Sequence, residues 1–286
     1  MNGQKTVSWA LFILLALIWG SSFILIKEGT KQLTGLQIGA LRIFSAAIVF
    51  LPFALFHIRK LPKEKILLVL LSGLLGNLFP AFLFSLAIQQ KTESSLAGIL
   101  NSLTPIFVIL IGALFFKTTI QAKKIVGVMI GFAGLLILSL LKGPVTAGSM
   151  GSILLILLAT IFYGLNVNLA GTYLKGLDPL KMSTVSVGFL VIPTAVVLWL
   201  NPINLSAEEN HQSILAVTAL GLFGSAAATV IFYALIKKAG GLFASLVTYA
   251  IPVVAMFWGF LDNENVGLLQ VGCLGIILGG VYLANK

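Results

Sequence analysis

Few residues in this sequence can do chemistry, and those that can sit inside long apolar runs. Arg42 is the one charge set well within such a run. Placing an arginine in a membrane costs at least about 2.5 kcal/mol by insertion scales, so the position signals function by default. Its planar fork can hold a carboxylate through two parallel hydrogen bonds. It also stands only about two turns from one end of its run, close enough to reach the surface or backbone carbonyls. A substrate contact and a structural or gating role are both open at the level of sequence.

The aromatic and amide residues follow helical spacing. Trp19 is central in the first run, too deep for an interfacial belt of the kind that suits Trp9 and Trp199. Ser22 and Phe23 follow three and four residues later, on the same helical face. Tyr163 and Asn166 repeat that spacing, and Tyr249 adds another central phenol. Aromatic walls with a few polar groups suit a small organic ligand with an apolar body. The competing reading is that Trp19 and Phe23 simply pack between helices. Asn166 must find partners in the membrane; Asn168 points elsewhere and reads as helix glue. Asn77 and Pro80 mark a further irregular wall.

Two mid-run prolines, Pro105 and Pro252, predict helix kinks. A proline cannot donate to the carbonyl four residues earlier, here those of Asn101 and Thr248. Hydrocarbon penalises an unsatisfied carbonyl by several kcal/mol, so Asn101 and Thr248 should face protein or a water-filled cavity. A static kink relieved by neighbouring hydroxyls is the alternative.

The absences narrow the chemistry. All eight carboxylates fall at the ends of runs or between them. A proton-coupled exporter of organic cations normally needs an intramembrane Asp or Glu as relay and counter-charge, so transport down the substrate's own gradient, or coupling through another group, is favoured. His57 and His211 fall on opposite surfaces, where solvated residues are expected. There is no Walker-A sequence and no Cys/His cluster, so neither ATP, a metal nor another cofactor is expected. An intramembrane enzyme acting on lipids would need a clustered acid or nucleophile with a base, and none is present; no catalytic residue is assigned. Cys273, the only cysteine, permits no internal disulfide and reads as a small core residue.

The chain that must position these groups is not a water-soluble one. Its 286 residues are 59% hydrophobic and 9% charged, with a mean hydropathy of +1.09, against roughly 25% charged in soluble domains. The net charge of +10 is spread in small groups between apolar runs rather than clustered on one face, which excludes nucleic acid as partner. The sequence therefore predicts an all-α, polytopic membrane protein whose partners are the bilayer and a small-molecule substrate. Ten runs of membrane-crossing length lie near 8–26, 36–56, 65–88, 94–115, 121–141, 151–170, 180–200, 212–236, 242–260 and 266–284. Lys5 precedes the first run as in a signal peptide, but no small-residue cleavage site follows, so the run is read as retained. Thirteen of the eighteen Lys and Arg residues fall on one side, and only Lys27, Lys31, Lys91 and Lys142 on the other. Both termini are then cytoplasmic, in a cytoplasmic (inner) membrane. Short loops leave no soluble appendage of the kind a sensor or assembly factor would carry.

The two halves repeat. Ala97 to Pro105 matches Ala244 to Pro252 at an offset of 147, and Trp19-Gly20 matches Tyr163-Gly164 at an offset of 144. Gly127-x-x-x-Gly131 and Gly275-x-x-x-Gly279 end the two halves, and such motifs allow close helix contact within one chain or between two protomers, so a homodimer is possible. The region matching Arg42 holds Ser183 and Ser186, so symmetry demands no second cation. Five runs per repeat is an odd number, so the second copy enters the membrane inverted. The expected domains are 1–145 and 146–286, two inverted five-helix repeats with substrate bound between them, the architecture of secondary transporters. Trp19-Gly20-Ser21-Ser22-Phe23, Leu41-Arg42-Ile43 and the two prolines resemble EamA-type members of the drug/metabolite transporter superfamily along essentially the whole chain. The resemblance implies export or facilitated movement of small metabolites, often amino acids or their relatives. Broad-range solute or multidrug export and carriage of sugar-related metabolites are the rivals within transport.

Overall fold

A chain in hydrocarbon must satisfy its peptide groups within each segment, and helices do this without leaving an open edge. The computed structural model describes the backbone of residues 2–90, 94–141, 150–261 and 268–284, and every regular element among them is helical. Among the described residues six helices are long and apolar enough to cross a membrane: Lys5–Gly29, Gly35–Lys60, Lys63–Gln89, Met150–Tyr173, Pro179–Leu200 and Glu208–Ala239. Shorter apolar helices, Thr104–Phe115, Gly241–Val254 and Gly272–Ala284, accompany them. The protein is an all-α, polytopic membrane protein.

In chain order the elements are α1 (Asn2–Gly29), α2 (Gly35–His57), α3 (Lys63–Gly73), α4 (Phe79–Gln89), α5 (Ser94–Asn101), α6 (Thr104–Phe115), α7 (Ala122–Leu141) and α8 (Met150–Tyr173). Then come α9 (Pro179–Gly188), α10 (Val191–Leu200), α11 (Glu208–Ala219), α12 (Ala228–Ala239), α13 (Gly241–Ser245), α14 (Val247–Leu261) and α15 (Leu268–Ala284). Local chemistry sets several starts. A capping box opens α2: the Thr34 hydroxyl accepts from the Gln37 amide while the Gln37 side chain accepts from the Thr34 amide. Asp178 caps α9 by accepting from the Lys181 amide, with Pro179 in the first turn. Gly240, at φ +88, turns α12 directly into α13.

Two of the long helices are not α-helical throughout. A π-helical turn at Leu74–Leu78 joins α3 to α4, and another at Leu220–Ala227 joins α11 to α12. π turns are frequent at functional sites. Glycines at their starts, Gly73 just before the first and Gly221 within the second, let neighbouring backbones press close. A Cβ on Gly73 would strike the Ser186 carbonyl of α9; one on Gly221 would strike the Arg42 carbonyl and Ser45 hydroxyl of α2.

The glycine-spaced helices α7 and α15 pack along each other, but not through both predicted motifs. Gly127 faces the backbone of Gly280 and Ala284, and Gly131 takes the Tyr249 ring. A Cβ on Gly275 or Gly279 would meet open space. The buried stripe of α15 runs through Cys273, Ile277, Gly280 and Ala284, which turns Gly275 and Gly279 to the opposite face. Toward the basic-rich end, Trp9, Phe12 and Phe243 form a ring cluster with centroids 5.2–5.4 Å apart. Each such pair contributes about 0.5–1.5 kcal/mol beyond its area. Trp9 is half-buried in this cluster, while Trp199 is 80% exposed. His57 is half-buried, not fully solvated: its Nδ1 lies 2.8 Å from the Thr184 hydroxyl. That hydroxyl donates to the Leu180 carbonyl, so the imidazole supplies the proton between them.

Candidate functional site

Between α1, α2, the two π turns, the α5–α6 break, α8 and the α13–α14 break lies a cavity of about 100 Å³, enough for several waters. Both parts of the chain contribute to its wall. Trp19, Ser22, Arg42, Asn77 and Asn101 come from the first, and Tyr163, Asn166, Ser225, Thr229, Tyr233 and Thr248 from the second.

Each helix interruption brings polar groups to this wall. α5 ends at Asn101 and α6 begins at Thr104, so the chain breaks rather than merely kinks, with Pro105 in the first turn of the new helix. Proline is tolerated there because its missing N–H is not needed. Thr104 Oγ1 donates to the Asn101 carbonyl at 2.7 Å, relieving the group that Pro105 leaves free. In the second part the break falls at Leu246, between α13 and α14, and Pro252 lies inside α14. The Thr248 carbonyl that Pro252 frees accepts from Ser102 Oγ at 3.3 Å, a bond between the two breaks. Asn101 and Thr248 are both buried, and Asn101 Oδ1 has no hydrogen-bond partner among the described residues.

The second π turn is the anchor of the site. Its Gly224 carbonyl accepts from Trp19 Nε1 at 3.1 Å, and its Ser225 hydroxyl accepts from Arg42 Nε at 2.8 Å. Arg42 Nη2 also approaches the Gly224 carbonyl, at 3.5 Å. The first π turn presents a side chain instead: Asn77 Oδ1 accepts from Thr229 Oγ1 at 2.9 Å, and the same hydroxyl reaches the Ser225 carbonyl. Nearby, Tyr233 donates to Ser72 Oγ at 2.8 Å, and Ser72 donates to Asn166 Oδ1. The walls between these polar groups are aromatic. Trp19 packs on Phe232 with centroids 5.3 Å apart, and Phe84 on Tyr163 at 6.3 Å.

Of the residues singled out from sequence, Trp19, Ser22, Arg42, Asn77, Asn101, Tyr163, Asn166 and Thr248 line this one cavity. Tyr249 does not. It is fully buried against Gly131, and its hydroxyl donates to the Val128 carbonyl at 3.0 Å. It follows Thr248 directly, and one residue turns a helical side chain by about 100° away from its neighbour. The side chain of Phe23 lies outside the described residues. Asn168 is glue, as expected: its Nδ2 donates to the carbonyls of Val108 at 3.0 Å and Gly164 at 2.9 Å. Gly224, Ser225, Thr229, Phe232 and Tyr233 were not foreseen. A readable signal was Gly76-Asn77 against Gly224-Ser225, 148 residues apart.

Among the described residues Arg42 is the only ionised group in the lining, and no carboxylate borders the cavity. Among the described residues no cluster of His, Cys, Asp or Glu could hold a metal. The site can therefore bind through hydrogen bonds, one positive charge and aromatic contact.

Comparison with known proteins gives the context. The profile of the EamA-like transporter family matches twice, over residues 7–140 and 150–286. The uncharacterized inner membrane transporter YedA of Escherichia coli (strain K12) is 29% identical, covering 96% of this chain and 89% of its own. An uncharacterized transporter of Archaeoglobus fulgidus is 27% identical over 97% of this chain and 98% of its own. The WAT1-related protein At3g02690, chloroplastic, of Arabidopsis thaliana is 23% identical over 99% and 71%. A solved crystal structure, 17% identical, has the same fold with a TM-score of 0.71, covering 98% of this chain and 96% of that one. The chain belongs to the EamA-like transporter family, within the drug/metabolite transporter superfamily, and is a membrane transporter.

Proposed function

We propose that the protein is a secondary exporter or facilitator of small organic metabolites, amino acids and related compounds among them, working by alternating access around the central cavity. Ten spans arranged as two inverted five-helix repeats, 1–145 and 146–286, place both termini in the cytoplasm by the distribution of Lys and Arg, and fit an inner membrane. One observation carries the reading: a polar, aromatic-walled cavity at the junction of both parts, bordered by four helix interruptions, none of which a purely structural bundle needs. The reciprocal glycine contacts, Gly73 on Ser186 and Gly221 on Arg42, support a twofold relation between the halves. The lack of a carboxylate in the lining among the described residues favours movement driven by the substrate's own gradient, and argues against an intramembrane enzyme.

Reconstitution in liposomes tests this. Labelled amino acids should cross with protein present, and an imposed pH gradient should change the rate less than twofold. Trp19→Ala, Asn101→Ala and Tyr163→Ala should each remove most flux while the protein stays monodisperse. Undiminished flux in all three variants would reject this cavity as the path.

A further inference from the structure

We infer that the cargo carries a single carboxylate and that Arg42 receives it. The inference rests on the transporter reading above and specifies the substrate class of the same cavity. A guanidinium has two pairs of parallel donors: a side edge, formed by Nε and one hydrogen of Nη2, and an end edge, formed by Nη1 and the other hydrogen of Nη2. In Arg42 the side edge is engaged by the second π turn, with Ser225 Oγ 2.8 Å from Nε and the Gly224 carbonyl 3.5 Å from Nη2. Nothing among the described residues bonds the end edge, and the residue lines the cavity. The side chain is thus held by one edge with the other presented, the arrangement that binds a carboxylate in two parallel bonds.

Charge points the same way. A buried cation without a partner is costly, and removal from water is repaid only by a counter-charge with good geometry. The described residues supply none: the only ion pair among them is Lys31 with Glu28, and no Asp or Glu among them lines the cavity beside Arg42. A single carboxylate supplies the one counter-charge that the guanidinium of Arg42 lacks, whatever else the cargo carries. A phosphate dianion would leave it one negative charge in excess, and an organic cation would add to the positive charge. The apolar body of such a cargo has Trp19, Phe232, Phe84 and Tyr163 to lie against.

The test uses matched labelled pairs that differ only at the acid, phenylacetate with phenylacetamide and leucine with leucinamide. Flux is measured in proteoliposomes at pH 7.5 after subtracting protein-free liposomes, and ligand-induced thermal shifts are measured on purified protein. The wild type should favour the carboxylate of a pair by tenfold or more. Arg42→Gln should bring the two members within twofold, Arg42→Lys should keep part of the preference, and Ser225→Ala should weaken the carboxylate several-fold more than the amide. Equal handling of acid and amide by the wild type overturns the inference, and that result needs no variant to fold. So does retained preference in folded Arg42→Gln. If neutral sugars, nucleosides or organic cations cross and no carboxylate does, the carboxylate assignment fails and the carrier stands. If nothing in this panel crosses, both fail.

Discussion

The two π turns interrupt two long helices in similar surroundings, yet they meet the cavity differently. At Leu74–Leu78 the contact is made by a side chain, Asn77, bonded to Thr229. At Leu220–Ala227 a bare carbonyl and a hydroxyl are offered, and two helices of the first part bond to them through Trp19 and Arg42. Both turns are approached by a neighbouring backbone at a glycine, Gly73 or Gly221. The lesson is that the shape of the interruption and its chemistry are separable. Glycine at the start of the turn permits the close approach, whereas the residues that follow decide whether the turn positions a ligand group or only another side chain.

Substitutions at the approach glycines should have the largest effect. Gly221→Val and Gly73→Val force a branched side chain against backbone of the facing helix, and each should cost about 3 kcal/mol or more, or yield no folded protein. Thermal unfolding in detergent reads this directly. Gly275→Val is the matching control; with open space around it, the midpoint should stay within the error of about 0.5 kcal/mol. If Gly221→Val is as mild as Gly275→Val, the close approach at the second turn is not what holds it.

The middle effects separate the two turns by function. Trp19→Phe keeps a ring on Phe232 but loses the bond to Gly224, worth about 1 kcal/mol, and should slow flux several-fold. Asn77→Ala leaves the Thr229 hydroxyl its bond to the Ser225 carbonyl, so its flux should fall less than that of Trp19→Phe in the same liposomes. The reverse order would make the first turn the functional one. The smallest effect on flux is expected at Asn168, away from the cavity. Asn168→Ala should cost about 0.6–1.7 kcal/mol in thermal unfolding and leave flux unchanged.

Much of the architecture was legible because hydrocarbon imposes simple demands. Long apolar runs had to be helices, and Pro105 announced an interruption through a bond it cannot make. The rest was hidden for physical reasons. A π turn is one residue's worth of extra backbone, and no residue type is specific to it; Asn77 and Pro80 hinted at the first turn, but only small residues marked the second. Tyr249 was assigned to the cavity on depth alone, although its neighbour Thr248 had already claimed that direction. The spacing of Gly275 and Gly279 was correct for a helix contact, yet Gly280 next door carries it, because spacing does not give the rotation of a helix about its axis.

The second π turn also bears on how this protein should be aligned with its relatives. Losing a single residue between Gly221 and Ser225 would turn all of α12 by about 100°, carrying Thr229, Phe232 and Tyr233 off the cavity wall together. A one-position gap there would barely alter percentage identity while replacing the whole contribution of α12 to the lining. In a family whose members match this chain at 23–29% identity, that gap is a sharper guide to inherited specificity than the score of the whole alignment.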